Sequence, residues 1–100
     1  MNHSIKVSGN CITVALTGKI YSQDAAVVRD ELLEEIDRGV INISIDLSEL
    51  TYIDSTGLGV LVTLHKRTKE KNGKLVLIGA QGLVEQLLKR TRLDKIFFVE

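Results

Sequence analysis

The chain has 100 residues, 44% of them hydrophobic, and its thirteen basic and thirteen acidic residues give a formal net charge of zero. This length predicts one domain, residues 1–100, and the balanced charge argues against non-specific attraction to nucleic acid or to an anionic membrane. One cysteine excludes an intrachain disulfide and no apolar run approaches the roughly 20 residues that span a bilayer, so we expect a soluble, cytoplasmic protein.

Two alternating runs near the start predict a β-hairpin. Residues 5–8 and 11–18 alternate apolar and polar side chains around Gly9-Asn10, a dipeptide that favours a two-residue turn. Within the second run we interpret Cys11 as a small core residue. The hairpin is expected to form one edge of a sheet.

The hydrophobic period then changes to that of a helix. Ser22 is the expected N-cap and Gly39 the expected C-terminal stop. Between them one apolar stripe, which should lie on the sheet, comprises Ala25, Val28, Leu32, Leu33 and Ile36.

A third strand and a second helix follow. Residues 41–47 alternate isoleucine or leucine with polar residues, and the helix is expected from about Ser55 to Lys71. The first half of this helix is mostly apolar. Residues 65–71 are interpreted as a solvated tail, with His65 as an ordinary surface residue.

The last third of the chain predicts a buried strand, a short helix and a terminal strand. Residues 74–78 are continuously apolar after Lys74, residues 83–91 predict the helix, and residues 93–99 predict a helical turn with a last strand. The side chains expected to face the core from this helix are Leu83, Leu87 and Leu88.

This order of elements indicates an α/β domain with right-handed crossovers, a mostly parallel sheet and one antiparallel hairpin. In such sheets the functional crevice lies beyond the carboxyl ends of the strands. Asp54-Ser55-Thr56 follows the third strand, at a helix start whose unpaired N–H groups favour an oxygen or a phosphate. We expect the Ser55 hydroxyl to be accessible there.

The motifs of catalysis and of cofactor binding are incomplete. Gly57-Leu58-Gly59 begins like a dinucleotide fingerprint, but Val62 occupies the last glycine position. Ser55 lacks the preceding glycine of a nucleophile elbow, and neither histidine is placed to act as its base. No phosphate loop and no Cys/His metal motif occurs. We therefore expect that the protein is not an enzyme and binds no cofactor or metal. The two glycines are interpreted as positions of close backbone approach.

The plain interpretation of Asp54-Ser55-Thr56 is helix capping. Capping needs only one small polar residue, whereas this segment has three, followed by two glycines that are expected to reach solvent. The additional polar residues favour a functional role for the segment.

The D-S-T-G-L-G sequence of residues 54–59 resembles that of bacterial anti-sigma factor antagonists, which are single STAS domains. The similarity extends to residues 16–18, 45–48, 72–77 and 93–97. It implies a STAS fold with helices packed mainly on one face of the sheet. It also implies that Ser55 is phosphorylated by a partner that is both an anti-sigma factor and a serine kinase. Unphosphorylated protein would bind this partner and free a sigma factor, and a serine phosphatase would reset the cycle.

The resemblance also implies a partner-binding surface. In relatives, acidic residues are common at the positions of Lys19 and Tyr21, in a loop that contacts the partner. No cofactor, nucleic acid or membrane is implied, and a monomer is favoured. Two alternatives stay open, namely a STAS regulatory subunit of another signalling or transporter-associated assembly and a small nucleotide- or anion-sensing module. The implied surface comprises Lys19, Tyr21, Asp54, Ser55, Thr56, Gly57, Leu58 and Gly59.

Overall fold

The computed structural model describes residues 2–99, so Met1 and Glu100 of the predicted domain lie outside the described residues. The five strands have the order β1-β2-β3-β4-β5. β1 is antiparallel to β2, and each later pair of neighbours is parallel, which confirms a mixed, mostly parallel sheet with an N-terminal hairpin. In chain order the elements are β1 (Asn2–Ser8), β2 (Cys11–Ile20), α1 (Ser22–Asp37), β3 (Asn42–Ile53), α2 (Ser55–Glu70), β4 (Lys74–Ile78), α3 (Gly82–Arg90), a 3₁₀ turn (Leu93–Lys95) and β5 (Phe98–Val99).

The hairpin turn lies where the sequence predicts it. Gly9 has a positive φ of 61°, and Ser8 pairs with Cys11 across the turn. Cys11 itself is exposed, so its interpretation as a core residue is wrong. Because side chains alternate between the two faces of a strand, the burial of Ile12 directs Cys11 to the opposite face.

One face of the sheet carries most of the core. The opposite face is only partly covered, since Ser44 and Asp46 of the central strand β3 are half-buried. The buried stripe of α1 covers the core face, and α1 packs against α2, so the helices lie mainly on one side. The buried strand residues of the core face include Ile12, Val14, Leu16, Ile43, Ile45, Leu47, Leu75 and Leu77.

The ends of α1 differ slightly from the prediction. Its N-cap is Tyr21, and Ser22 is its first helical residue. The Tyr21 N–H donates to Oδ2 of Asp24 over 3.5 Å, which is the half of a capping box in which the third helical residue reaches back to the N-cap backbone. The stop at Gly39 is confirmed by its φ of 107° and by the bond from its N–H to the Ile36 carbonyl, 3.0 Å long.

The C-terminal part of α2 is not a fully solvated tail. Thr68 is only 1% exposed, and the half-buried ring of His65 lies edge-on to Phe97 with 5.3 Å between the ring centroids. The segment that precedes β5 packs beside this part of α2, a contact that the local sequence pattern does not encode.

The core-facing side of α3 is shifted by one residue from the prediction. Leu83 is 45% exposed, whereas Val84 and Leu88 are each 1% exposed. Residues four apart share one face of a helix, so Val84 and Leu88 form the buried stripe and Leu87 lies half-buried at its side. The predicted burial of Leu88 is therefore confirmed and that of Leu83 is wrong.

Candidate functional site

The carboxyl ends of β2 and β3 lie side by side and form the base of the candidate site. β3 runs to Ile53, six residues past the predicted end of this strand at residue 47. Lys19 pairs with Tyr52, and Ile20 pairs with Ile53. Lys19 is thus a strand residue rather than a loop residue, and its backbone lies about 5 Å from that of β3.

Asp54 is the N-cap of α2. Its backbone is extended, with φ of −92° and ψ of −179°, and its Oδ1 accepts a hydrogen bond of 2.9 Å from the Gly57 N–H. Its carbonyl accepts the first helical bond from Leu58 at 3.0 Å. The capping interpretation of this segment is therefore correct for Asp54, and the carboxylate is engaged in holding the helix start.

Ser55 and Thr56 are the first two helical residues and are both exposed. Neither hydroxyl forms a hydrogen bond with the described part of the chain, residues 2–99. The positive end of the α2 dipole lies beside them and favours a negatively charged group. This arrangement presents two hydroxyls to solvent at a helix start that favours a negatively charged group.

Gly57, Leu58 and Gly59 differ in what they present to solvent. Gly57 is buried, and Leu58 is 8% exposed, whereas Gly59 is exposed. A Cβ on Gly57 would lie 2.5 Å from Cγ1 of Ile53, while a Cβ on Gly59 would meet nothing within 4 Å. The expectation that both glycines reach solvent holds only for Gly59. A close approach exists only at Gly57, and the neighbour there is a side chain rather than backbone.

Two tyrosines lie next to the helix start. The rings of Tyr21 and Tyr52 have centroids 5.7 Å apart and planes inclined by 43°. Tyr21 is 49% exposed and Tyr52 is half-buried. Tyr52 is not among the predicted site residues, although an aromatic residue two positions before the capping aspartate is a signal that could have identified it.

The described residues, 2–99, contain no group of three or more His, Cys, Asp or Glu side chains that could hold a metal ion. No helix in this range is long and apolar enough to cross a membrane. Among the described residues, the two side chains with shifted pKa values lie outside this site. Hydrogen bonds from Ser48 lower the pKa of Asp46, and burial, followed by the charge of Lys69, lowers the pKa of His65.

Comparison with known proteins gives consistent results. The model of the STAS domain family matches residues 2–100. An anti-sigma-B factor antagonist from Listeria monocytogenes is 32% identical over 100% of this chain and 90% of its own length. The anti-sigma-B factor antagonist from Bacillus subtilis is 35% identical over 89% of this chain and 78% of its own length.

A solved structure supports the fold independently. The crystal structure of an anti-sigma factor antagonist from Mycobacterium paratuberculosis matches with a TM-score of 0.83 at 20% identity, covering 98% of this chain and 83% of that one. At this identity the likeness concerns the arrangement of strands and helices.

Proposed function

Because this chain belongs to the STAS domain family, we propose that it is an anti-sigma factor antagonist whose binding is switched by phosphorylation of Ser55. The observation that carries the proposal is the exposed Ser55 hydroxyl at the start of α2, which has no hydrogen bond within residues 2–99, in a chain similar over its full length to a named antagonist. Residues 1–100 form one STAS domain in this proposal, which acts in the cytoplasm through binding rather than catalysis.

The proposed partner is an anti-sigma factor with serine kinase activity. In its unphosphorylated form the protein binds this partner, and the sigma factor is released. The partner transfers the γ-phosphoryl group of its nucleoside triphosphate to the Ser55 oxygen, which loses its proton. A serine phosphatase later hydrolyses the phosphoester with water and restores the hydroxyl.

The proposed contact surface surrounds Ser55. Thr56 and Gly59 are exposed on the same helix, and Lys19 and Tyr21 extend the surface along the end of β2. Gly57 and Leu58 are part of the proposed site, but they are buried and lie beneath its exposed residues.

Charge explains how one phosphate could decide binding. Phosphorylation adds about −1.5 to −2 charges beside the Asp54 carboxylate, and the helix start returns only about 0.3–1 kcal/mol of stabilisation. Opposed like charges across an interface cost several kcal/mol, and about 4 kcal/mol corresponds to a thousandfold change in affinity. The domain can therefore keep its fold while it loses its partner.

The test combines mass spectrometry with capture of the partner. Protein isolated from its own host should carry one phosphate, and peptide mapping should locate it at Ser55. The variant S55A should capture a serine kinase from host lysate, whereas S55D should not. Ser8→Ala is the matched control, because it removes an exposed hydroxyl of β1 outside the proposed contact surface and should leave phosphorylation intact.

Two results would contradict the proposal. A phosphate on another residue would remove Ser55 from the switch. An unmodified Ser55, together with equal capture by S55A and S55D, would leave a STAS scaffold whose binding does not depend on phosphorylation.

A further inference from the structure

A second concave site lies at the other end of α2. It is a cavity of about 290 Å³ between the last turns of α2, the start of β4 and the segment before β5. His65, in its wall, follows Ser55 by ten residues in the same helix, or about 15 Å along the helix axis. The cavity is thus separate from the surface around Ser55. Its wall includes His65, Thr68, Lys69, Lys74, Leu75 and Ile96.

The wall of this cavity combines apolar and basic side chains. Leu75 is 1% exposed and Ile96 is 50% exposed, so the apolar part extends from the core to the surface. No lining residue is acidic. Lys69 forms no ion pair with the described residues 2–99, so its ammonium group is available to an incoming anion.

His65 contributes its ring to the wall of this cavity. Its Nδ1 is buried and has no hydrogen bond within the described part of the chain, so this nitrogen is not open to a ligand in the cavity. Since burial and the charge of Lys69 both lower the pKa of His65, the ring is neutral near pH 7 and can donate one hydrogen bond from one nitrogen.

The charge of the surrounding chain favours an anion. Residues 66–95 contain nine Lys or Arg and only three Asp or Glu. Residues 22–54, in contrast, contain two Lys or Arg and nine Asp or Glu. Two carboxylates near the end of α2 are engaged by Arg67, which lies 3.3 Å from Asp37 and 3.9 Å from Glu70. Of these basic residues, Lys69 and Lys74 line the cavity, and their positive charge favours an anion there.

We propose that this cavity binds a small organic anion with an apolar body. The carboxylate or phosphate group lies near Lys69, Lys74 and His65, and the apolar body covers Leu75 and Ile96. The volume is at the lower end of the range for ligand pockets, which suits a body of about one ring. This proposal does not depend on phosphorylation of Ser55.

The test is an amide NMR titration of the isotope-labelled protein with four probes. Phenyl phosphate and phenylacetate carry both the anionic group and the apolar ring. Inorganic phosphate carries only the charge, and phenylacetamide carries only the ring. Saturable shifts in residues 65–75 and 96 are expected with at least one of the first two probes, and weaker or absent shifts with the last two. Comparison of the first two distinguishes phosphate from carboxylate.

Two charge variants separate the cavity from general attraction. Lys69→Gln should weaken binding about fivefold, the effect of one partly exposed ion pair. Lys66→Gln is the matched control, because it removes the same charge from an exposed position of α2 outside the cavity, and it should leave the affinity within about twofold.

Several results would overturn the proposal. Absence of saturable shifts up to about 10 mM would exclude even a ligand of roughly millimolar affinity. Equal binding of inorganic phosphate and phenyl phosphate would indicate an adventitious ion only. Shifts confined to residues 54–58, or equal effects of the two lysine variants, would show that this cavity is not the site.

Discussion

The Asp54 carboxylate accepts a hydrogen bond of 2.9 Å from the Gly57 N–H, so the residue before the proposed phosphorylation site also holds the helix on which that site lies. Ser55 and Thr56 lie between the two ends of this bond. Their position at the surface follows from the cap, because the bond fixes the first turn of α2.

Removal of the cap should destabilise the domain. Asp54→Ala is expected to lower the free energy of unfolding by about 1 kcal/mol, the usual effect of losing an N-cap acceptor. Asp54→Asn keeps an oxygen acceptor and should cost less, so it serves as the control. Urea denaturation of the three proteins checks both values, and equal stability of the Ala variant and the parent would show that the bond contributes nothing.

The two glycines of α2 should respond oppositely to alanine. At Gly57 the new methyl group would meet Ile53 at 2.5 Å, and overpacking costs about 1–3 kcal/mol against a helix-propensity gain of up to about 1 kcal/mol. Gly57→Ala should therefore be neutral to destabilising by about 2 kcal/mol. Gly59→Ala meets open space and should stabilise by about 0.5 kcal/mol or more. Thermal and urea unfolding of both variants measure the difference, and a Gly57→Ala protein more stable than Gly59→Ala would contradict this account.

Lys19 should influence the rate of partner association. It is exposed at the end of β2, so its reversal in Lys19→Glu changes the field that an approaching partner meets without removing core contacts. We expect the association rate of the purified kinase to change with a dependence on salt, and the dissociation rate to change less. Surface plasmon resonance at two ionic strengths measures this. Lys6→Glu, an exposed charge reversal on β1, is the control, and similar effects of both variants would remove Lys19 from the interface.

His65 should make stability depend on pH. Burial lowers its pKa in the folded protein, and the charge of Lys69 adds to this effect. As the pH falls below about 6.5, the unfolded chain takes up a proton that the folded ring resists, so the free energy of unfolding decreases. Above about pH 7.5 neither state binds this proton, and the contribution is constant. His65→Phe removes this titrating group. The difference in free energy of unfolding between the two proteins should therefore vary between about pH 5 and pH 7.5. A difference that stays constant over this range would contradict the prediction.

Local sequence patterns predict the elements of this fold well because alternation and helical period report which face is buried. They fail where burial depends on distant segments. The half-buried ring of His65 lies against Phe97, which is distant in the sequence. The exposure of Cys11, in contrast, follows from its alternation with the buried Ile12. At the site, the cap and the exposed serine follow from the motif. The neighbouring position of Tyr52 depends on β3 continuing beyond the expected strand end.

The pairing of Tyr21 with Tyr52 gives the molecule an optical reporter. The chain contains two tyrosines and no tryptophan, and the two phenol rings lie 5.7 Å apart beside the start of α2. Intrinsic fluorescence of the isolated domain therefore originates at one place. Emission from these two rings should register a phosphate on Ser55 without any added dye, and a tryptophan-free partner would leave the signal free of interference.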